Sequence, residues 1–428
     1  MLLLFVLYTP TSEGDEDDFP SIPGMIARYS ALGLTNEQMA ANPVWVDKTG
    51  NGHDLQMKNF AWKEGSGISD IYPGALVFDG VDDYGICENF PILTKEKGYT
   101  VVVLRQWITI PNDNLFYGLM TNGNSRTDGA FVFEDFNRDS KSSFSFGGYT
   151  TVESGTLSMP FTYQTSTSYN GKAINIGSLE KGVDIFYVGR MGSRSYYVNA
   201  AIWEICILDH DATEEELQKI QDYYKKEYPW LFPDQAWTVV GKTNEDTDRA
   251  TIANITGNGN NLVLSNFGFV EGSGYNEEGE YAGYLVTDGV DDYGRAVGLT
   301  ISKDFTLVGE WILFSKTSVN AGLSIHPQIH IFNRPEAIQI MFRTAGKTLP
   351  VKSLKAICSD GRCYDENWSE LKINVGEFTN NKGTLFVASN GTNYAQIAFK
   401  NLGIYDNHIL SKEDCIKAYN YLQTLKSK

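Results

Sequence analysis

The sequence predicts an all-β fold in two tandem copies, and three observations carry that prediction. The stretch Asp79–Gly85, Asp-Gly-Val-Asp-Asp-Tyr-Gly, returns unchanged as Asp288–Gly294. Short apolar runs alternate with Gly, Asn, Asp and Ser clusters, with 41 Gly and 13% aromatic residues, a composition that suits β-sandwiches. No run of ten or more residues keeps a helical period before Thr213. At 428 residues, each half is long enough to bury its own core.

The repeat is wider than that one stretch. Thr49-Gly50-Asn51-Gly52 returns as Thr256-Gly257-Asn258-Gly259, and Asn59-Phe60 as Asn266-Phe267. Glu64-Gly65-Ser66-Gly67 returns as Glu271-Gly272-Ser273-Gly274, and Gly33-Leu34-Thr35-Asn36 matches Gly241-Lys242-Thr243-Asn244. Order and spacing are kept, so the repeating unit is a whole domain rather than a solenoid turn. The seven-residue stretch itself reads as strand, tight turn, strand. Leu76, Val77 and Phe78 lead in, Gly80 and the aspartates supply turn chemistry, and Tyr84 resumes the pleat.

Residues 1–20 are expected to form an apolar arm and an acidic linker. Met1–Tyr8 is too short to span a bilayer, which takes about 20 residues. It also lacks the basic start and small-residue cleavage site of a signal peptide. Two uses remain for it: an extra strand on its own domain, or an anchor in another subunit. The first domain is expected over 21–232, with strands in Tyr99–Ile110, Gly129–Glu134, Ser142–Phe146, Val183–Gly189 and Ala200–Leu208. Thr213-Glu214-Glu215-Glu216 is a capping box that starts a helix with Leu217, Ile220 and Tyr224 on one face, and Pro229 stops it. The second domain is expected over 233–428. Ile338, Ile340 and Phe342 alternate with Gln339 and Met341 as a half-buried strand does. Thr384–Ala388 and Ala395–Ile404 repeat the late strands. Ser411 starts a closing helix with Ile416, Tyr419 and Leu422 on one face.

The net charge of −18 argues against nucleic acid as a partner and against an electrostatic dock on anionic lipid. Five cysteines is an odd count. Cys87, Cys206 and Cys415 lie in apolar surroundings and read as core. Cys358 and Cys363 flank a plausible turn, which leaves a small disulfide loop and free thiols both open.

The pattern Phe78-Asp79-Gly80-Val81-Asp82-Asp83-Tyr84 resembles the strand-turn-strand signature of laminin-G-like domains of the concanavalin A-like lectin/glucanase superfamily. The ending Val188-Gly189-Arg190, Ile202–Leu208 and a Thr/Ser-capped helix is also similar to that family. The opening Ile26-Ala27-Arg28-Tyr29-Ser30, followed by Thr49-Gly50-Asn51-Gly52-His53-Asp54-Leu55, looks like the variant found in gut Bacteroidetes and their phages. The resemblance implies two antiparallel jelly-roll sandwiches, each closed by one short C-terminal helix.

Glucanases of this superfamily carry a Glu-x-Asp-x-(x)-Glu strand that places two working carboxylates on one face. The nearest spelling is Glu13-Gly14-Asp15-Glu16, inside the acidic linker, so the sequence is read as not encoding an enzyme. Asp79, Asp82, Asp83, Asp288, Asp291 and Asp292 are candidate calcium ligands, since clustered oxygens suit Ca²⁺. Turn-shaping explains the same spacing, and no other cofactor is expected. His326 and His330 are four apart, but Pro327 argues against a helix that would align them. The pairs Trp62 with Phe269 and Trp107 with Trp311 are equivalent apolar positions, read as core rather than as sugar platforms. There is no phosphate loop, Ser/His/Asp set or redox Cys-x-x-Cys pair.

The expected function is a structural and binding protein, a head or tail fibre of a Bacteroidetes phage. Residues 1–20 would contact other virion subunits, and host polysaccharide is the expected ligand. No membrane span is expected, and a homo-oligomer is compatible with the sequence. A bacterial cell-surface or secreted carbohydrate-binding protein is the alternative.

Overall fold

A computed structural model describes residues 18–123, 129–138, 141–151, 160–177, 183–314, 318–342, 345–376 and 382–427. Met1–Tyr8 and the linker carboxylates Glu13, Asp15 and Glu16 lie outside the described residues.

Four antiparallel sheets of eight strands form two sandwich-like halves. In the first half, Thr100–Thr109 and Asn199–Leu208 are central neighbours, paired from Thr100 opposite Leu208 to Thr109 opposite Asn199. In the second half, Phe305–Leu313 and Ile397–Asp406 pair the same way, from Phe305 opposite Asp406 to Leu313 opposite Ile397. In the facing sheets, Ile185–Val188 lies between Tyr84–Glu88 and Tyr117–Gly123, and Lys382–Val387 lies between Tyr293–Thr300 and Val319–His326. The repeated turn is the point where the chain crosses between sheets. Ala75–Asp79 belongs to one sheet and Tyr84–Glu88 to the other, and Leu285–Val286 and Tyr293–Thr300 divide likewise.

The central strands are continuous apolar runs because both of their faces are covered. Val101 and Val103 face the core between the sheets, while Val102 and Leu104 face a separate outer layer. Asn199–Leu208 divides in the same manner, with Ile205 and Ile207 inward and Trp203, Cys206 and Leu208 outward. The outer layer is covered by helices and shared by the two halves. It contains Trp203 of the first and Val308 and Tyr421 of the second, and the Trp203 and Tyr421 rings lie 6.5 Å apart. Gln106 Nε2 donates to Thr424 Oγ1 at 3.1 Å across the same junction.

Three α-helices occur among the described residues. Helix α1 (Asn36–Ala41) is closed at its start by a Thr35–Gln38 capping box, and its six residues are too few to show a period in the sequence. Helix α2 (Glu214–Glu227) has the expected Thr213–Glu216 box and buries Ile220, Tyr223 and Tyr224. Helix α3 (Lys412–Thr424) starts at Ser411, whose Oγ accepts the Asp414 N–H at 3.0 Å. Its buried face is Cys415, Ala418, Tyr421 and Leu422: Cys415 and Leu422 lie inside as expected, and Ala418 and Tyr421 take the places expected for Ile416 and Tyr419. Tyr419 is held at the edge because its hydroxyl donates to Glu310 Oε2 at 3.0 Å and Lys355 Nζ stands 4.7 Å from its ring. None of these helices is long and apolar enough to cross a membrane.

Candidate functional site

The repeated residues divide into those that fasten the fold and those that do not. Asn59 and Asn266 both sit at φ 69°, and their Nδ2 groups donate to the carbonyls of Asp82 and Asp291 at 3.0 and 2.9 Å. Ser66 and Ser273 accept the amides of Ala61 and Gly268, each at 2.8 Å. Asn36 brackets Ile68 with two 2.8 Å bonds, and Asn244 brackets Tyr275 with two more at 2.8 Å. Asn51 and Asn258 tie their loops to the carbonyls of Ile26 and Asp234 at 2.9 and 2.8 Å. These side chains replace backbone partners that the turns cannot supply.

The six candidate calcium ligands fall into two trios, Asp79, Asp82, Asp83 and Asp288, Asp291, Asp292. Each trio places one oxygen per residue within 4.8 Å of the others. Backbone amides take much of their acceptor capacity. Asp79 Oδ1 accepts the N–H of Val81 at 2.7 Å and of Asp82 at 3.3 Å, and Asp288 Oδ1 accepts those of Val290 at 2.8 Å and Asp291 at 3.4 Å. Asp83 Oδ2 and Asp292 Oδ2 accept the N–H of Asp79 and Asp288, each at 3.0 Å. Gly80 and Gly289, at φ 78° and 77°, supply the left-handed residue that each turn requires. Asp83 and Asp292 are fully buried, and burial pushes Asp83 up to about 7 and raises Asp292. This geometry is that of a braced turn.

What the repeat leaves unspent lies at the surface. Val81 and Val290 are 71% and 72% exposed at the two turn tips. Tyr84 lies 6.2 Å from Tyr197, and Tyr293 lies 6.0 Å from Tyr394, each pair half-buried. Tyr197 and Tyr394 are corresponding residues, because each bridges back to the second residue after its sheet strand, Arg190 and Ser389 respectively. Among the described residues, no hydrogen bond holds any of the four tyrosine hydroxyls. Each half therefore presents two aromatic rings with free hydroxyls beside an exposed valine and an exposed aspartate, Asp82 or Asp291. Tyr84 belonged to the turn signature, whereas Tyr197 and Tyr394 carried no sequence signal, because an unaligned loop brings them in.

The remaining candidates are structural. Trp107 and Trp311 are core, 8% and 1% exposed, and Trp62 and Phe269 are half-buried against the cores of their own halves. Glu134 joins the two sheets of the first half, accepting from Arg105 Nε at 2.9 Å, Trp107 Nε1 at 2.7 Å and the Tyr169 hydroxyl at 2.5 Å. The equivalent Trp311 Nε1 has no partner among the described residues. Arg28 and Glu204 form a second buried pair beneath α2, with Tyr228 donating to Glu204 at 2.8 Å. His326 and His330 do come together, with ring centroids 5.5 Å apart, because a hairpin rather than a helix aligns them. All five cysteines are buried free thiols. Cys363 pairs across the hairpin with Ile357, so it faces the core while Cys358 faces the outer layer, and the two sulfurs lie on opposite sides of one sheet.

No family model matches the sequence, and no curated protein matches it. Solved structures similar to this chain include a Trypanosoma rangeli sialidase in complex with sialic acid, 11% identical with a TM-score of 0.34. That likeness covers 49% of this chain and 34% of the sialidase, so the chain spans about a third of that protein's length. The binding domain of botulinum neurotoxin DC, solved with rat synaptotagmin II, is 11% identical with a TM-score of 0.34, covering 90% of this chain and 99% of that domain. The same domain in complex with SialylT is 11% identical with a TM-score of 0.33, covering 88% and 94%. Likenesses this distant assign no activity to this chain. They do correct the exclusion of an enzyme, which rested on a missing carboxylate-pair strand. Sialidases are among the similar structures, at 11% and 12% identity over 49% and 52% of this chain. The missing strand is therefore no ground for excluding glycoside chemistry.

Proposed function

We propose that this chain is a glycan-binding protein that holds sugar on the tyrosine-lined end of each half. In the finer reading it is a virion appendage, a head or tail fibre of a gut Bacteroidetes phage. It would lie on the virion surface, attach through residues 1–20 and be built from two laminin-G-like jelly rolls. The observation that carries the binding reading is the pair of free-hydroxyl tyrosines repeated at the same place in both halves. Aromatic faces stack on the apolar faces of sugar rings, and stacking holds a ligand without a deep cavity. The tyrosine hydroxyls and the exposed Asp82 and Asp291 supply donors and acceptors for sugar hydroxyls. Two such ends in one chain raise avidity for a repeating polysaccharide. The phage setting is supported by the sequence resemblance alone.

Two experiments test these readings separately. Retention on immobilised host-envelope polysaccharide is expected for the full chain and lost in a Tyr84→Ala/Tyr293→Ala variant that keeps its Tm. Retention unaffected by that variant would remove the tyrosine ends from the account. Peptide mass spectrometry on density-purified phage particles is expected to recover residues 1–20. Their recovery only in host envelope fractions would replace the virion reading with a bacterial surface protein.

A further inference from the structure

Tyr187 and Phe386 are the same position in the two halves. Tyr187 pairs across its sheet with Ile86, and Phe386 pairs with Arg295, each partner lying two residues beyond the repeated tyrosine. Each ring lies under a guanidinium, yet the two arginines come from different places in the chain. Arg190 enters from the loop after the strand, with Cζ 4.8 Å from the Tyr187 ring centre and 4.0 Å from that of Tyr84. Arg295 comes from the neighbouring strand, with Cζ 5.8 Å from the Phe386 ring centre.

Neither arginine has a carboxylate partner among the described residues, although the chain carries 53 Asp and Glu against 35 Lys and Arg. Arg190 Nε donates to the Gly192 carbonyl at 2.5 Å, which orients the guanidinium and leaves its terminal nitrogens for a ligand. Arg295 is exposed and makes no hydrogen bond among the described residues. The cross-strand row through Arg295 runs Val263, Arg295, Phe386, Ser324, His330, Met341 and contains no acid. Ser324 Oγ and His330 Nδ1, opposite one another in that row, have no hydrogen-bond partner among the described residues. Arg190 lies over the Tyr84 ring itself, and Arg295 lies two residues after Tyr293 on the same strand, so an uncountered arginine recurs in both halves from two chain positions.

We infer that both halves select an acidic saccharide, with Arg190 and Arg295 each pairing with the carboxylate or sulfate of a sugar that lies against the neighbouring tyrosines. This rests on the glycan reading above and adds the ligand's charge. A guanidinium set over an aromatic face presents a fork that matches a carboxylate or sulfate. Asp82 and Asp291 stand exposed at the same turns and repel an anionic group, so the arginine contact has to outweigh them.

The test uses the full chain on an array of saccharides in matched pairs that differ only in bearing or lacking the anionic group. Wild type is expected to prefer the acidic members by about tenfold or more. Arg190→Gln/Arg295→Gln is expected to lose that preference while still binding neutral partners, and its Tm is expected to match wild type. Equal binding of both members by wild type, or an acid preference that survives the double substitution, overturns the inference and leaves the glycan reading in place. Binding to no saccharide overturns both.

Discussion

Asp83 Oδ2 accepts the backbone N–H of Asp79 at 3.0 Å, and Asp292 does the same for Asp288 at the same distance. Asp79 in turn accepts two amides of the turn that separates the two residues. The seven-residue identity is therefore a carboxylate brace at the point where the chain passes between sheets. Asp79→Ala is predicted to cost about 1–2 kcal/mol of stability, as the loss of a cap does, and Asp79→Asn less. Urea unfolding of both variants measures this. A calcium-dependent rise in Tm that Asp83→Asn abolishes would instead assign the trio to a cation.

Asp83 carries the pH consequence of the same brace. Burial moves its carboxyl from 3.8 to about 7 in the folded state. The folded protein then holds a proton that the unfolded chain releases, so this residue's contribution to stability falls as pH rises from about 3.8 to about 7. In Asp83→Asn the fall of stability across that window is predicted to be smaller than in wild type, as read from Tm against pH.

His330 acts in the opposite direction. Burial and the neighbouring His326 lower it from 6.5 to about 4. The folded state disfavours the proton, so stability is complete above about 6.5 and is lost as pH falls towards about 4. His330→Gln is predicted to flatten the acid side of the Tm profile. A profile unchanged on that side would remove His330 as its source.

The two equivalent tryptophans should respond differently to loss of the indole N–H. Trp107 donates to the buried Glu134 at 2.7 Å, whereas Trp311 Nε1 has no partner among the described residues. Trp107→Phe is predicted to cost about 1.5–3 kcal/mol more than Trp311→Phe, the worth of a hydrogen bond to a charged group. Glu134→Gln, which leaves Arg105 charged and buried, is predicted to cost about 3–5 kcal/mol. Equilibrium unfolding of the three variants supplies the comparison.

The β-rich halves and the turn were legible because local chemistry dictates them: Gly80 at positive φ, the capping box at Thr213, and the Ile338, Ile340, Phe342 alternation. The buried face of α3 was legible in part: Cys415 and Leu422 read as core, but Ala418 is small and only the shared outer layer selects it and Tyr421 over Ile416 and Tyr419. The site was half legible. Tyr84 and Tyr293 lie within the repeat and Arg190 within the late strand's ending, but Tyr197 and Tyr394 meet the first two only through the folded sheet, over separations that no local pattern records. His326 and His330 were discounted on the absence of a helix, and the tight hairpin at Pro327 and Gln328 that joins them is a local alternative which that argument left out.

The central claim is that each half holds glycan at its tyrosine pair. Calorimetric titration of the full chain with a polysaccharide that it retains counts the sites directly. The account predicts that Tyr84→Ala/Tyr197→Ala and Tyr293→Ala/Tyr394→Ala each halve the stoichiometry, and that all four substitutions together abolish binding without lowering Tm. Unchanged stoichiometry and affinity in the fourfold variant would contradict it.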